Sequence, residues 1–143
     1  MKALPVGLLV IAGLLSTAGF GYFFASRSGE AQTGASLYLA NCASCHGAKL
    51  EGQPDWMKRL PNGRLPAPPH DETGHTWHHS DKQLFTIVKF GLASISPGYE
   101  SDMPAFEGVL TDGQIEAVLG YIKGTWTGRA RGYQADRSQA DPS

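Results

Sequence analysis

Cys42-Ala43-Ser44-Cys45-His46 is the stretch on which the reading of this 143-residue chain turns. Two cysteines stand three apart, and a histidine follows the second directly. That spacing is the attachment pattern of a c-type haem. On a helical turn, residues three and four apart share one face. Cys42 and Cys45 can therefore each bond one vinyl group of a single porphyrin, while His46 turns its imidazole toward the iron. Two other readings of Cys-x-x-Cys are weaker. A zinc half-site needs a second pair of ligands, and the chain has no third cysteine. A redox dithiol has no use for the histidine.

Working outward from this motif, the chain resembles the class I c-type cytochromes, monohaem proteins of the membrane-anchored bacterial type. Gly34, Tyr38, Cys42, Cys45, His46 and Gly47 fit the family's first helix and haem-binding segment. Met103-Pro104-Ala105-Phe106 fits the segment that carries the second iron ligand. Leu110-Thr111-Asp112 through Tyr121-Ile122, with Trp126, fits the last helix. The resemblance runs over residues 34–126, with the motifs in the family's order. It implies an all-α fold in which crossed N- and C-terminal helices, a third helix and long loops surround one covalent haem c. It also implies a cofactor site made of Cys42, Cys45, His46 and Met103, with His46 and Met103 as the metal ligands and no catalytic residue.

The residues agree with that expectation on their own terms. A thioether is a soft ligand suited to haem iron opposite a histidine. Pro104 biases Met103 toward an extended backbone. Met57 and a cluster of histidines are its rivals. Before the cysteines, Leu37, Tyr38 and Asn41 recur at helical spacing, so residues 34–45 read as a helix. Gly34 leaves room for the close approach of another helix; the resemblance implies that the first and last helices cross at such a glycine, with Tyr38 and Tyr121 as the aromatic pair that packs there. Ser80 with Gln83, and Thr111 with Gln114, are capping-box patterns that start helices over 80–90 and 111–126. Gly91 is placed to end the first of these.

Between them, residues 47–80 carry Pro54, Pro61, Pro66, Pro68 and Pro69, which forbid long helices and central strands. A loop of this length needs an object to wrap, and a haem is one. Trp56, Leu60, Leu65 and Trp77 are candidate wall residues. A tryptophan indole, Arg59 or Arg64 is a candidate donor to a haem propionate, against plain packing or a solvated charge. The same loop holds His70, His75, His78 and His79. They read either as a second metal site for copper or zinc, as an alternative iron ligand, or as polar surface groups.

At the N-terminus, Ala3 to Ala25 is a run of 23 residues without a charge. As a helix it spans about 34 Å, enough to cross a bilayer. Phe20, Tyr22, Phe23 and Phe24 sit where an interfacial aromatic belt falls. The run is longer than the apolar part of a cleaved signal, so residues 1–25 are expected to be a transmembrane anchor or uncleaved signal. Residues 26–33 are expected to be a linker, 34–126 the haem domain, and 127–143 a flexible tail without an apolar period. The net charge of −1 implies no nucleic-acid partner.

The charges flanking the run do not decide its orientation; the resemblance implies haem attachment on the outer face, so the expectation is a single-pass protein of the inner membrane with its haem domain on the periplasmic side. It is expected to transfer electrons in a respiratory or photosynthetic chain, with no small-molecule substrate. The resemblance implies redox partners such as a quinol-oxidising cytochrome complex, a terminal oxidase or a dehydrogenase. Alternatives are a haem subunit of a larger membrane oxidoreductase, a soluble periplasmic carrier after signal cleavage, or a metal-handling protein built on the histidine loop.

Overall fold

Helix starts in this chain are written by side chains that satisfy orphan backbone donors. Ser80 accepts from the Gln83 N–H while the Gln83 side chain accepts from Ser80, and helix α3 runs over Asp81–Phe90 from that box. Thr111 and Gln114 do the same for α4, Asp112–Gly124. At the far end of α3, Gly91 takes a positive φ of 83° and its N–H bonds Ile87 O. The computed structural model describes residues 34–141, all helix, turn or loop without a strand. The expected anchor and linker, 1–33, lie outside the described residues. Among the described residues, no helix is long and apolar enough to cross a membrane.

Residues 34–41 form helix α1. One turn residue, Cys42, separates it from the short α2, Ala43–His46. The single helix expected over 34–45 is thus broken at the first cysteine. Helix α1 lies against α4 at Gly34. A Cβ there would overlap the Ala117 carbonyl oxygen and sit 3.1 Å from Tyr121 Cβ. Only glycine permits this approach. Tyr38 follows one turn later, fully buried, with its ring 5.5 Å from that of Tyr121. Ile115, Val118, Leu119 and Ile122 form the buried face of α4, as their spacing predicts. Leu84, Phe106 and Leu110 pack on the same cluster.

The last segment departs from expectation. A flexible tail is expected over 127–143, but Gly128–Ala140 form helix α5, packed on the 3₁₀ turn Thr76–His78 and on α3. The reason is polar. Gln134, only 2% exposed, donates to Asp81 Oδ1 at 2.8 Å and to Ser138 Oγ at 2.9 Å. Asp81 N donates to Ser138 Oγ at 3.0 Å, and Ser80 Oγ donates to Asp141 Oδ2 at 2.6 Å. Lys123 Nζ bonds the same Asp81 carboxylate at 2.6 Å. At the other end, Thr127 N–H donates to the Glu72 carboxylate, a favourable charge at a helix N-terminus. Ala130 is an apolar plug, 3% exposed, and Tyr133 meets the Trp77 and His78 rings edge-on at 5.4 and 5.1 Å.

Gly34→Ala is expected to destabilise the haem-loaded protein by about 1–3 kcal/mol, the usual range for overpacking; thermal unfolding checks it as a lowered Tm. A second expectation concerns Asp81. Burial alone would raise its carboxyl, but hydrogen bonds from Lys123, Gln134 and Ser138 together hold it below the usual range. A depressed folded pKa gives stability that is present above the unfolded value and lost as pH falls through the folded one. Helix α5 should therefore loosen below about pH 4, and Asp81→Asn should weaken its docking at pH 7 by about 0.2–1 kcal/mol. Amide exchange across 128–140 reads both effects.

Candidate functional site

The proximal half of the site is built on His46, which is 7% exposed. Its Nδ1 lies 2.9 Å from the Pro68 carbonyl oxygen. A carbonyl can only accept, so Nδ1 must carry the proton and Nε2 is left with its lone pair. That is the tautomer of an imidazole prepared to bind iron, and the carbonyl is the outer partner that orients such ligands. Burial holds the His46 pKa low against the opposing pull of the Pro68 bond, which keeps the ring neutral near pH 7. The backbone around it is fixed too. His46 O accepts from Gly52 N at 2.8 Å, and Tyr38 Oη donates to Gly47 O at 2.9 Å. Burial, then the neighbouring Cys42, pushes the Tyr38 phenol up, so it stays protonated.

Cys42 and Cys45 are free thiols, Cys42 half-buried and Cys45 exposed. Burial, reinforced by Cys45, pushes the Cys42 thiol up to about 11. A redox dithiol is favoured by a depressed thiol pKa, and the direction at Cys42 is the opposite. Met103 packs against the apolar cluster that also receives Cys42, whereas its rival Met57 is 75% exposed. The segment that carries Met103 is tied down on both sides. Phe106 N and Glu107 N donate to Val88 O and Lys89 O, at 3.0 and 2.9 Å, in the last turn of α3. Before it, the Arg64 guanidinium bonds Asp102.

A haem fits these residues. The donor set is two thiols, one buried imidazole of the right tautomer and one thioether beside the same cluster. There is also an orphaned donor. Trp77 Nε1 is buried with no hydrogen-bond partner among the described residues. A buried N–H without a partner costs about 1–3 kcal/mol, and a carboxylate such as a propionate would satisfy it. The arginines expected as possible donors are engaged elsewhere, Arg59 on Gly63 O at 2.6 Å and Arg64 on Asp102.

Of the four loop histidines, His75 and His79 meet edge-on, with ring centroids 5.5 Å apart, but the four do not form one ligand cluster. His75 stacks on Trp56 and His78 on Trp77, with ring centroids 5.3 and 3.8 Å apart. His79 bonds the Gln83 side chain at 3.3 Å. Among the described residues, no three His, Cys, Asp or Glu side chains are grouped to hold a metal ion. The second-metal reading is therefore not supported. His70 alone reaches the haem motif, its ring stacked on His46 at 4.0 Å. Burial and the neighbouring His46 and His75 push its pKa down to about 3. Sequence reasoning gave no reason to single it out from the other three, nor to expect Trp126, just past α4, to bond His70 O through its indole N–H at 2.8 Å.

Fold and site together define a class I monohaem c-type cytochrome. The family described as cytochrome c oxidase, cbb3-type, subunit III, matches residues 29–122, and the chain belongs to that c-type cytochrome family. It is 32% identical over 110 residues to the gluconate 2-dehydrogenase cytochrome c subunit of Pantoea cypripedii, covering 73% of this chain and 22% of that subunit. The chain thus spans about a fifth of that relative's length. It is also 32% identical over 93 residues to cytochrome c6 of Leptolyngbya boryana, covering 65% of this chain and 89% of that protein. No solved structure gives a significant match. The cofactor is covalently bound haem c, and the domain is an electron-transfer module.

Trp77→Phe in the haem-loaded protein should lower stability by about 1.5–3 kcal/mol, the value of a hydrogen bond to a charged group. Urea unfolding measures it. A variant as stable as the parent would mean that the indole N–H meets no anion.

Proposed function

We propose that this chain is a membrane-anchored carrier that passes single electrons between periplasmic redox partners in a respiratory or photosynthetic chain. The haem supplies a one-electron couple at its iron. The chain's own residues do the rest. Cys42 and Cys45 hold the group covalently. His46 binds through Nε2 because Pro68 takes the other nitrogen. Met103 would supply a thioether as the second iron ligand, and such His/Met ligation would raise the potential relative to other ligand pairs and leave no iron position free for a substrate. The observation that carries this reading is Met103 on the same apolar cluster as Cys42, in a segment fastened to α3 and Arg64. Cys42, Cys45, His46 and Met103 are then the site, with His46 and Met103 on the metal.

The membrane part of the proposal rests on the uncharged run at 3–25. Haem attachment on the outer face of the membrane, which the resemblance implies, supports a domain on the periplasmic side of an inner membrane. Partners of the expected kind are a quinol-oxidising cytochrome complex as donor, and a terminal oxidase or a dehydrogenase at the other end. One finding favours a second reading. A relative is the cytochrome c subunit of a gluconate 2-dehydrogenase, and the family is described as an oxidase subunit. A haem subunit of a larger oxidoreductase would co-purify with a stoichiometric partner after gentle detergent extraction, and a carrier would not.

Met103→Ala should keep its haem attached, titrate at a lower midpoint potential and bind imidazole or carbon monoxide that the parent excludes. An unchanged potential would assign the sixth position to another group. Recovery of the full-length protein in the soluble periplasmic fraction would remove the anchor from the proposal.

A further inference from the structure

The Pro68 bond holds Nδ1, an atom off the Cβ–Cγ axis, and so restrains the turn of the His46 ring from its edge. A second constraint lies against its face. The His70 and His46 rings are nearly parallel, with an interplanar angle of 21° and centroids 4.0 Å apart. His70 is itself held on every side. Its Nδ1 lies 2.8 Å from Thr76 Oγ1, and Thr76 is buried. Its N–H donates to Leu50 O at 2.8 Å, and its O accepts from the Trp126 indole at 2.8 Å. Tyr38 meets the ring edge-on, with centroids 6.1 Å apart.

We propose that His70 is a positioning residue that sets the plane of the iron-binding imidazole of His46. This deepens the proposed function and rests on His46 being an axial ligand. An aliphatic side chain would fill the same volume but offer no flat face. A histidine offers the face and, through Thr76, a hydrogen bond that stops the face from turning. The orientation of an axial imidazole decides how unpaired electron density spreads over a ferric porphyrin. His70 therefore acts on the electronic asymmetry of the haem, and with it on the potential, without touching the iron.

The test uses the full-length, haem-loaded protein. Haem staining on a denaturing gel measures attachment, proton NMR of the ferric form reads the haem methyl shifts, and potentiometry gives the midpoint. His70→Leu is expected to attach haem at the parent level, with a changed order or spread of the methyl shifts and a moved midpoint. His70→Phe, which keeps a flat face, is expected to retain the parent order. Thr76→Val, which frees His70 to turn while leaving it in place, is expected to move the shifts in the same sense as His70→Leu. It also serves as the test if that variant does not fold. Parent-like shifts and midpoint in His70→Leu, or parent-like shifts in Thr76→Val, would overturn the proposal. His46→Ala is the separate arm. A native-like spectrum there would remove the axial assignment itself, whereas its loss with unmoved shifts in the His70 and Thr76 variants would remove only the positioning role.

Discussion

The His46 Nδ1–H donates to the Pro68 carbonyl across 22 residues of irregular chain, and the shape of that loop follows from the need to make this bond. A proline-rich segment is suited to it. Pro68 and Pro69 have fixed φ and no N–H to satisfy, so their carbonyls can be presented without orphaning a donor. The loop folds back on itself next to the motif. Gln53 N donates to Ala67 O at 2.9 Å, and the Gln53 side chain accepts from Ala67 N at 3.0 Å. Gly52, at φ 68°, passes so close to Pro69 that any side chain would collide with it. The outcome is a backbone clip whose two ends meet at one imidazole.

The clip is supported from behind by the contact of α1 with α4. Gly34 lets the helices touch through backbone, and Tyr38 uses the resulting space twice. Its ring packs on Tyr121 and its hydroxyl bonds the carbonyl that follows the haem motif. Trp126 then joins α4 to the loop through His70. Scaffold and site are thus linked by side chains that are apolar over most of their surface and polar at one tip, the usual role of buried tyrosine and tryptophan.

Much of this was legible in the sequence because the signals are local. The haem motif, both capping boxes, the Gly91 terminator and the buried face of α4 lie within a few residues of the structure they specify. The Gly34–Tyr38–Tyr121 contact was legible only through resemblance, and even then the atom that demands glycine, the Ala117 carbonyl, has no side-chain signature. Helix α5 was missed for a physical reason. Apolar periodicity detects helices buried by hydrophobic contact, and α5 is held by Gln134, Asp81, Ser138 and Asp141, which read as solvent-facing. The histidines stayed open between metal ligands and polar surface groups, because nearness in sequence does not say whether side chains converge. The 3₁₀ and loop geometry turned three of the rings onto Trp56, Trp77 and Gln83. The fourth stacked on His46.

Helix α5 also bears on biogenesis. Polypeptides emerge N-terminus first. The thiols at 42 and 45 are made well before Trp126 closes onto the loop and before Gln134 reaches the start of α3. During that interval the Cys42–His46 segment has its own short turn but neither of these later fastenings. An enzyme that joins porphyrin to thiols would meet an open target, and Trp126 and Gln134, made later, would close it.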